Sequence, residues 1–455
     1  MLGRTFDLWR ARGALVRLGG VDMRRSRVVA AVAALAGIAL GSLGACGGSP
    51  TAARVVPDAP STVEFAPAAY SEERVAPLIA ASERMGAEML ASSAPGENAV
   101  VSPASVSLAL ALVAAGASGR GADELTELLG VEPAEAAEVA GSVLAALSEW
   151  DGDPGAFDPT TPPEEPFLHI ANNALVREAF EVEGPYLDSL ARNFGAGVEE
   201  VDFADRDGAK RILDDWVNHH TAGLIPESAI DPKPNLVLVL QNAVLFGAQW
   251  ETLFSVAFSG PGDFTLGDGG TVQVEMMRDL EFQGAYAEES GWKALQLPYT
   301  EGFVANFYLP PEGVDPLEGG PAALEAVVGP LTEALDEADP ETVRVQLPAV
   351  DTTSETDLVS VLQDLGYRAI FDCSAGAFRG INPDAALCID QAVQQAVLTV
   401  DEEGTVAAAV TEIAAAESLP FSDAEFIANR PYLMTVRSLE PGWDLFQAVI
   451  RDPRE

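Results

Sequence analysis

Asp401-Glu402-Glu403-Gly404-Thr405-Val406-Ala407-Ala408-Ala409-Val410-Thr411-Glu412-Ile413-Ala414-Ala415-Ala416-Glu417-Ser418 follows the apolar, β-branched run Ala396-Val397-Leu398-Thr399-Val400. The run reads as a buried strand. Gly404 provides a pivot that a residue with a Cβ could not match. By propensity alone the small residues after it form a helix. Alternation argues otherwise, because successive strand side chains point to opposite faces. Thr405, Ala407, Ala409, Thr411, Ile413 and Ala415 make one set, and none is charged. Val406, Ala408, Val410, Glu412, Ala414 and Ala416 make the other, with the only charge before Glu417. One face is thus fit for burial in a sheet at little cost in volume. A segment that starts outside a sheet and is built to become one of its strands is a switch.

Glu402-Glu403-Gly404-Thr405, with Val406 and the small residues Ala407, Ala408 and Ala409, resembles the proximal hinge and reactive-centre loop of the serpins. The resemblance implies that a protease cleaves the loop and that the loop then enters the main sheet, carrying the acyl-linked enzyme with it. Insertion of residues 405–418 at ~3.3 Å each would move that enzyme by roughly 45 Å. The implied fold is α+β: a large central mixed sheet, further sheets, eight or nine helices and an exposed loop at about 402–428.

Other segments carry the same resemblance in order. Val75, Leu78, Ile79, Met85, Met89 and Leu90 recur at helical spacing. Asn98-Ala99-Val100-Val101-Ser102-Pro103-Ala104-Ser105 is similar to a family motif whose serines, here Ser102 and Ser105, sit under the central sheet where it must part. The same residues read as a helix start, with Ser102 as cap and Pro103 first. Trp216-Val217 with Thr221-Ala222-Gly223-Leu224-Ile225 matches a helix-end pattern, with Leu224 where Lys is usual. Leu236 to Phe246, containing Asn242, with Trp250 and Phe254 beyond, resembles the central strand and the opening that receives the loop. Phe426 to Met434, Leu445 to Val449 and Asp452-Pro453 resemble the terminal signatures. The resemblance spans about residues 72–455.

Residues 1–45 read as an export signal. Met23-Arg24-Arg25-Ser26-Arg27 is basic, and Val28 to Leu43 is apolar but short for a membrane span. Leu43-Gly44-Ala45-Cys46 matches a bacterial lipobox, which makes Cys46 the lipidated first residue of a protein anchored to the cell envelope, followed by a flexible tether over 46–71. Loss of 7 Arg and 2 Asp leaves 19 basic and 68 acidic residues, a net charge of −49. Such a surface excludes nucleic acid and heparin-like polyanions as partners.

Two departures from the family pattern bear on mechanism. Ala349 stands where a Lys usually pairs with the residue matching Glu402. Gln394 replaces a His that often hydrogen-bonds beneath the sheet; Gln both donates and accepts, so the network is expected to persist without pH sensitivity. Cys373 and Cys388 could pair in an oxidising compartment, but with no close spacing motif to link them the reading leans to two buried thiols. The three histidines, His169, His219 and His220, accompany no nucleophile-elbow motif, and adjacent histidines on a helix point apart. No enzyme, cofactor or metal is therefore expected. The expected function is irreversible inhibition of a serine protease by a monomer; the alternatives are a non-inhibitory serpin-fold binding protein or an inhibitor of a cysteine protease. Counting from Glu402 places the scissile bond at Ser418–Leu419, which suits an elastase-like pocket, with Glu417–Ser418 as runner-up.

Overall fold

The computed structural model describes residues 63–195, 198–405 and 424–454. Its eight α-helices among these residues are α1 (Glu72–Ala91), α2 (Pro103–Ala114), α3 (Gly119–Leu129), α4 (Pro133–Leu147), α5 (Gly184–Phe194), α6 (Arg206–His220), α7 (Pro321–Glu337) and α8 (Leu358–Asp364). The strands are β1 (Ala99–Val101), β2 (Phe167–Arg177), β3 (Val198–Val201), β4 (Leu238–Gln249), β5 (Gly260–Thr265), β6 (Thr271–Glu289), β7 (Trp292–Pro298), β8 (Phe303–Leu309), β9 (Glu341–Pro348), β10 (Val350–Asp357), β11 (Val393–Val400), β12 (Gly404–Thr405), β13 (Ala424–Ile427), β14 (Tyr432–Ser438) and β15 (Asp444–Ile450).

Local chemistry accounts for the main helices. The helical spacing in α1 becomes a buried face: Val75, Leu78, Met85, Met89 and Leu90 are all inside. The Ser102 hydroxyl caps α2 by accepting from the Ser105 amide at 3.2 Å, and Pro103 supplies the first helical residue without needing an N–H partner. α2 is apolar almost all round, which is the pattern of a helix buried on every side. It runs between β4 of one sheet and β15 of the other.

The strands form two sheets. One has nine strands, in the order β1-β15-β14-β8-β7-β6-β9-β13, with β5 on β6. The other has six, in the order β10-β11-β12-β4-β2-β3, and is mixed because only β2 and β3 run parallel. It carries the site. β2 and β4 pair along their whole length, from Phe167↔Gly247 to Val176↔Leu238. β10 and β11 do the same, from Val350↔Val400 to Asp357↔Val393. A large core fills the space between the sheets, and a smaller one, with Leu175, Leu213 and Val239, lies under α6.

Two sequence expectations are revised. Cys373 and Cys388 form a disulfide, with Cα atoms 4.5 Å apart. The chain doubles back between them, as the Ile389 amide bonds the Ile370 carbonyl at 2.9 Å, so a separation of 15 residues closes without a spacing motif. The end of the expected tether also makes contacts. The Ala66 amide donates to the Arg192 carbonyl at 2.9 Å, ahead of the boundary expected at residue 72.

Candidate functional site: a hinge above a parted sheet

Among the described residues two paired blocks, β10-β11 and β4-β2-β3, meet only through the two residues of β12. Thr405 pairs with Val400 on one side and Ala248 on the other, and Gly404 pairs with Gln249. Sequence reading expected the whole hinge to wait outside the sheet; instead its first rung is already made. Gly404 permits this. A Cβ there would lie 2.1 Å from the Ala248 carbonyl oxygen, so any other residue would push β12 off β4. Thr405 is 4% exposed, and its hydroxyl meets the Tyr299 hydroxyl at 2.5 Å. Tyr299 stacks on Trp250 with ring centroids 4.5 Å apart.

The turn leading into β12 is held from both sides. The Asp401 carboxylate accepts from the amides of Glu403 at 2.9 Å and Gly404 at 3.1 Å. Burial pushes its pKa up to about 6, against the pull of those two hydrogen bonds. The chain beyond β4 grips the carbonyls of the same turn: Trp250 Nε1 donates to Asp401, Trp250 N to Glu403 and Phe254 N to Glu402, each at 2.9 Å.

Below Thr405 the two blocks are bridged by side chains from beneath. Gln394 on β11 makes two bonds to Ser102, accepting from its amide at 2.9 Å and donating to its carbonyl at 2.7 Å. The Ser105 hydroxyl donates to Asn242 on β4, and Asn242 donates to Asn172 on β2 at 2.8 Å. The first turn of α2 thus ties β11 to β4 across the unpaired stretch. A cavity of about 140 Å³ lies there, with Leu238, Gln241, Asn242, Val393 and Gln394 among its walls.

The structure therefore sorts the sequence-predicted residues into two groups. Ser102, Ser105, Asn242 and Gln394 form the lower bridge, and Trp250 joins Glu402, Glu403, Gly404 and Thr405 at the top. Cys46, Val406, Ala407, Ala408, Ala409, Ser418 and Leu419 lie outside the described residues. Sequence reasoning missed Asp401, Tyr299 and Asn172. For Asp401 a signal existed, since Asp before a Gly turn commonly caps the amides that follow. Ala171-Asn172 and Leu297-Pro298-Tyr299 resemble family stretches, but the partners of Asn172 and Tyr299 are distant in the chain, so no local pattern gave either a role in the site.

Among the described residues the mixed sheet is open at one strand position, with the first rung of a strand lodged at its top, and that arrangement defines the class of protein. A family model described as Serpin (serine protease inhibitor) matches residues 85–453, and the chain belongs to that family. Serpin A3-1 of Bos taurus is 30% identical over 372 residues, which cover 79% of this chain and 85% of that one. Serpin-Z10 of Arabidopsis thaliana is 29% identical over 377 residues, 79% of this chain and 93% of that one. The crystal structure of a thermophilic serpin, tengpin, in the native state shares the fold with a TM-score of 0.72 at 22% identity, over 86% of this chain and 97% of that one.

Proposed function

We propose that the protein is an exported, lipid-anchored suicide inhibitor of serine proteases, working as a monomer. The parted sheet with Gly404-Thr405 lodged at its top carries this reading. Continued in the register of Thr405, the loop would place Ala407 opposite Phe246 and Leu398, and Thr411 opposite Asn242 and Gln394. Its uncharged set would thus enter the narrow side above α2, and Thr411 would meet the polar bridge there. Cleavage frees the loop to complete the sheet. The ester-linked protease is then carried away from the hinge before water can release it.

Ser418–Leu419 is the proposed scissile bond, and small residues before it suit an elastase-like protease. Cys46 is the proposed lipid anchor. The acidic chain is proposed to need neither nucleic acid nor a polyanion.

Incubation with a panel of serine proteases tests the mechanism. The expected product is a complex that survives SDS, with one inhibitor cleaved per enzyme lost. Cleavage without a complex, and with no rise in thermal midpoint after nicking, would instead mark a non-inhibitory binding protein. A stable complex with cysteine proteases alone would reassign the target.

A further inference from the structure

α6 and the chain after it lie across the parted sheet. α6 packs over β4 and β2, and residues 221–236 then pass toward β11 before returning to β4. On the β11 side this strap is clipped by two glutamines. Gln395 accepts from the Ala229 amide at 2.9 Å and donates to the Glu227 carbonyl at 3.2 Å. Gln391 accepts from the Asp231 amide at 3.0 Å and donates to the Asp231 carbonyl at 2.8 Å. On the β2 side the last turn of α6 is held by histidines, and all three in the chain meet there. His169 Nε2 lies 2.9 Å from His220 Nδ1, with the two ring planes within 11° of each other and the ring centroids 5.2 Å apart, so the rings meet edge to edge. His219 is edge-on to His220 at 4.9 Å, and Trp216 covers it at 4.5 Å. His169 Nδ1 lies 2.7 Å from Asp151 Oδ1, in the loop before β2.

The protons in this row can be counted. An ionised Asp151 only accepts, so His169 Nδ1 carries a hydrogen and donates to it. One hydrogen is then shared between His169 Nε2 and His220 Nδ1. With both rings neutral His220 donates, and with His169 protonated His220 accepts. Either way the bond holds. A second proton puts an N–H on both nitrogens, so two donors and two like charges face each other. We propose that Asp151, His169 and His220 form an acid-released clasp, which keeps α6 on the sheet through the first protonation and frees it on the second. The titratable groups that face His220 are His169 from β2, His219 from α6 and Asp151 from the loop. Burial, followed by the charges of His169 and His219, holds its pKa down to about 4, and Asp151 opposes them. If the loop inserts as proposed above, its strand must pass beneath the strap, so release of α6 would speed insertion; that consequence rests on the proposed function, and the clasp itself does not.

The full mature protein, labelled with ¹³C in its three histidines, shows the clasp directly by NMR. His220 should titrate far below 6.5. Over pH 6 to 4 the α6 amides should exchange roughly tenfold faster after correction for intrinsic rates. In His220→Asn, which can still bond His169 but cannot take a charge, that acceleration should vanish. A His220 midpoint near 6.5, or equal acceleration in wild type and variant, overturns the clasp. The wild-type titration needs no variant to fold. Measuring insertion after loop nicking separates the two readings. Acid-opened α6 without insertion at any pH keeps the clasp and removes the inhibitor, whereas insertion with pH-independent α6 exchange removes the clasp and keeps the inhibitor.

Discussion

On the proposed insertion mechanism, Thr405→Arg should turn the inhibitor into a substrate. Thr405 is buried and enclosed by Val400, Ala248 and Tyr299, so an arginine there would carry a charge into the sheet. Such a charge costs about 3–5 kcal/mol. The change also strips the Tyr299 hydroxyl of its partner, which adds about 1 kcal/mol or more. At a tenfold change in rate for each 1.36 kcal/mol, insertion slows by at least ~100-fold. Deacylation then wins, and the protease leaves with the loop cut. Because the first rung already exists in the uncleaved protein, the substitution should also expel β12 before any protease arrives. The assay is the number of inhibitor molecules cleaved per enzyme inactivated, which is one plus the ratio of the deacylation rate to the insertion rate; its excess over one is expected to grow by roughly 100-fold. Thr405→Val keeps the shape and loses only the hydroxyl, so it should cause a change of a few fold. An unchanged ratio in Thr405→Arg refutes the reasoning. Equal damage in both variants would move the cause from the charge to the Tyr299 contact.

Gln394→Ala should lower unfolding stability by about 1–3 kcal/mol, because it leaves the buried amide of Ser102 unpaired, while the Ser102 carbonyl keeps the Val106 amide; a denaturant midpoint equal to wild type would exclude a structural role for the bridge. Stability should also fall in acid. The folded pKa of His220, about 4, lies below its ordinary 6.5, so the fold disfavours the charged ring. That contribution is complete above pH 6.5 and is lost as pH falls toward 4, an effect of about 1 kcal/mol after solvent screening that His220→Asn should remove from the pH dependence of unfolding. Cys46→Ser should move the protein from the detergent phase to the aqueous phase, and unchanged partitioning would refute lipid anchoring. Mass spectrometry of the peptide released by a target protease should find a new terminus at Leu419; a terminus at Ser418 supports the runner-up bond, and one before Ala416 breaks the alignment.

The sequence alone determined the parts that depend on local order. Helical spacing placed α1, Ser102-Pro103 started α2, and the β-branched run before Asp401 became β11. Gly404 was legible as a pivot because glycine's missing side chain is a property of one residue. Pattern order along the chain was enough to show the family. Tertiary structure alone decided how far the hinge already enters the sheet, since that depends on a carbonyl of Ala248 more than 150 positions away. It also decided that Cys373 reaches Cys388, and that Asp401 caps a turn gripped by Trp250. The histidines show the difference most clearly. In sequence His219 and His220 sit side by side on one helix and His169 stands far off. In the fold His220 faces His169, because α6 must lay its apolar face on the outer side of the sheet and its last turn then falls over β2. Pairings of that kind arise from which surfaces bury each other, and no local pattern along the chain encodes them.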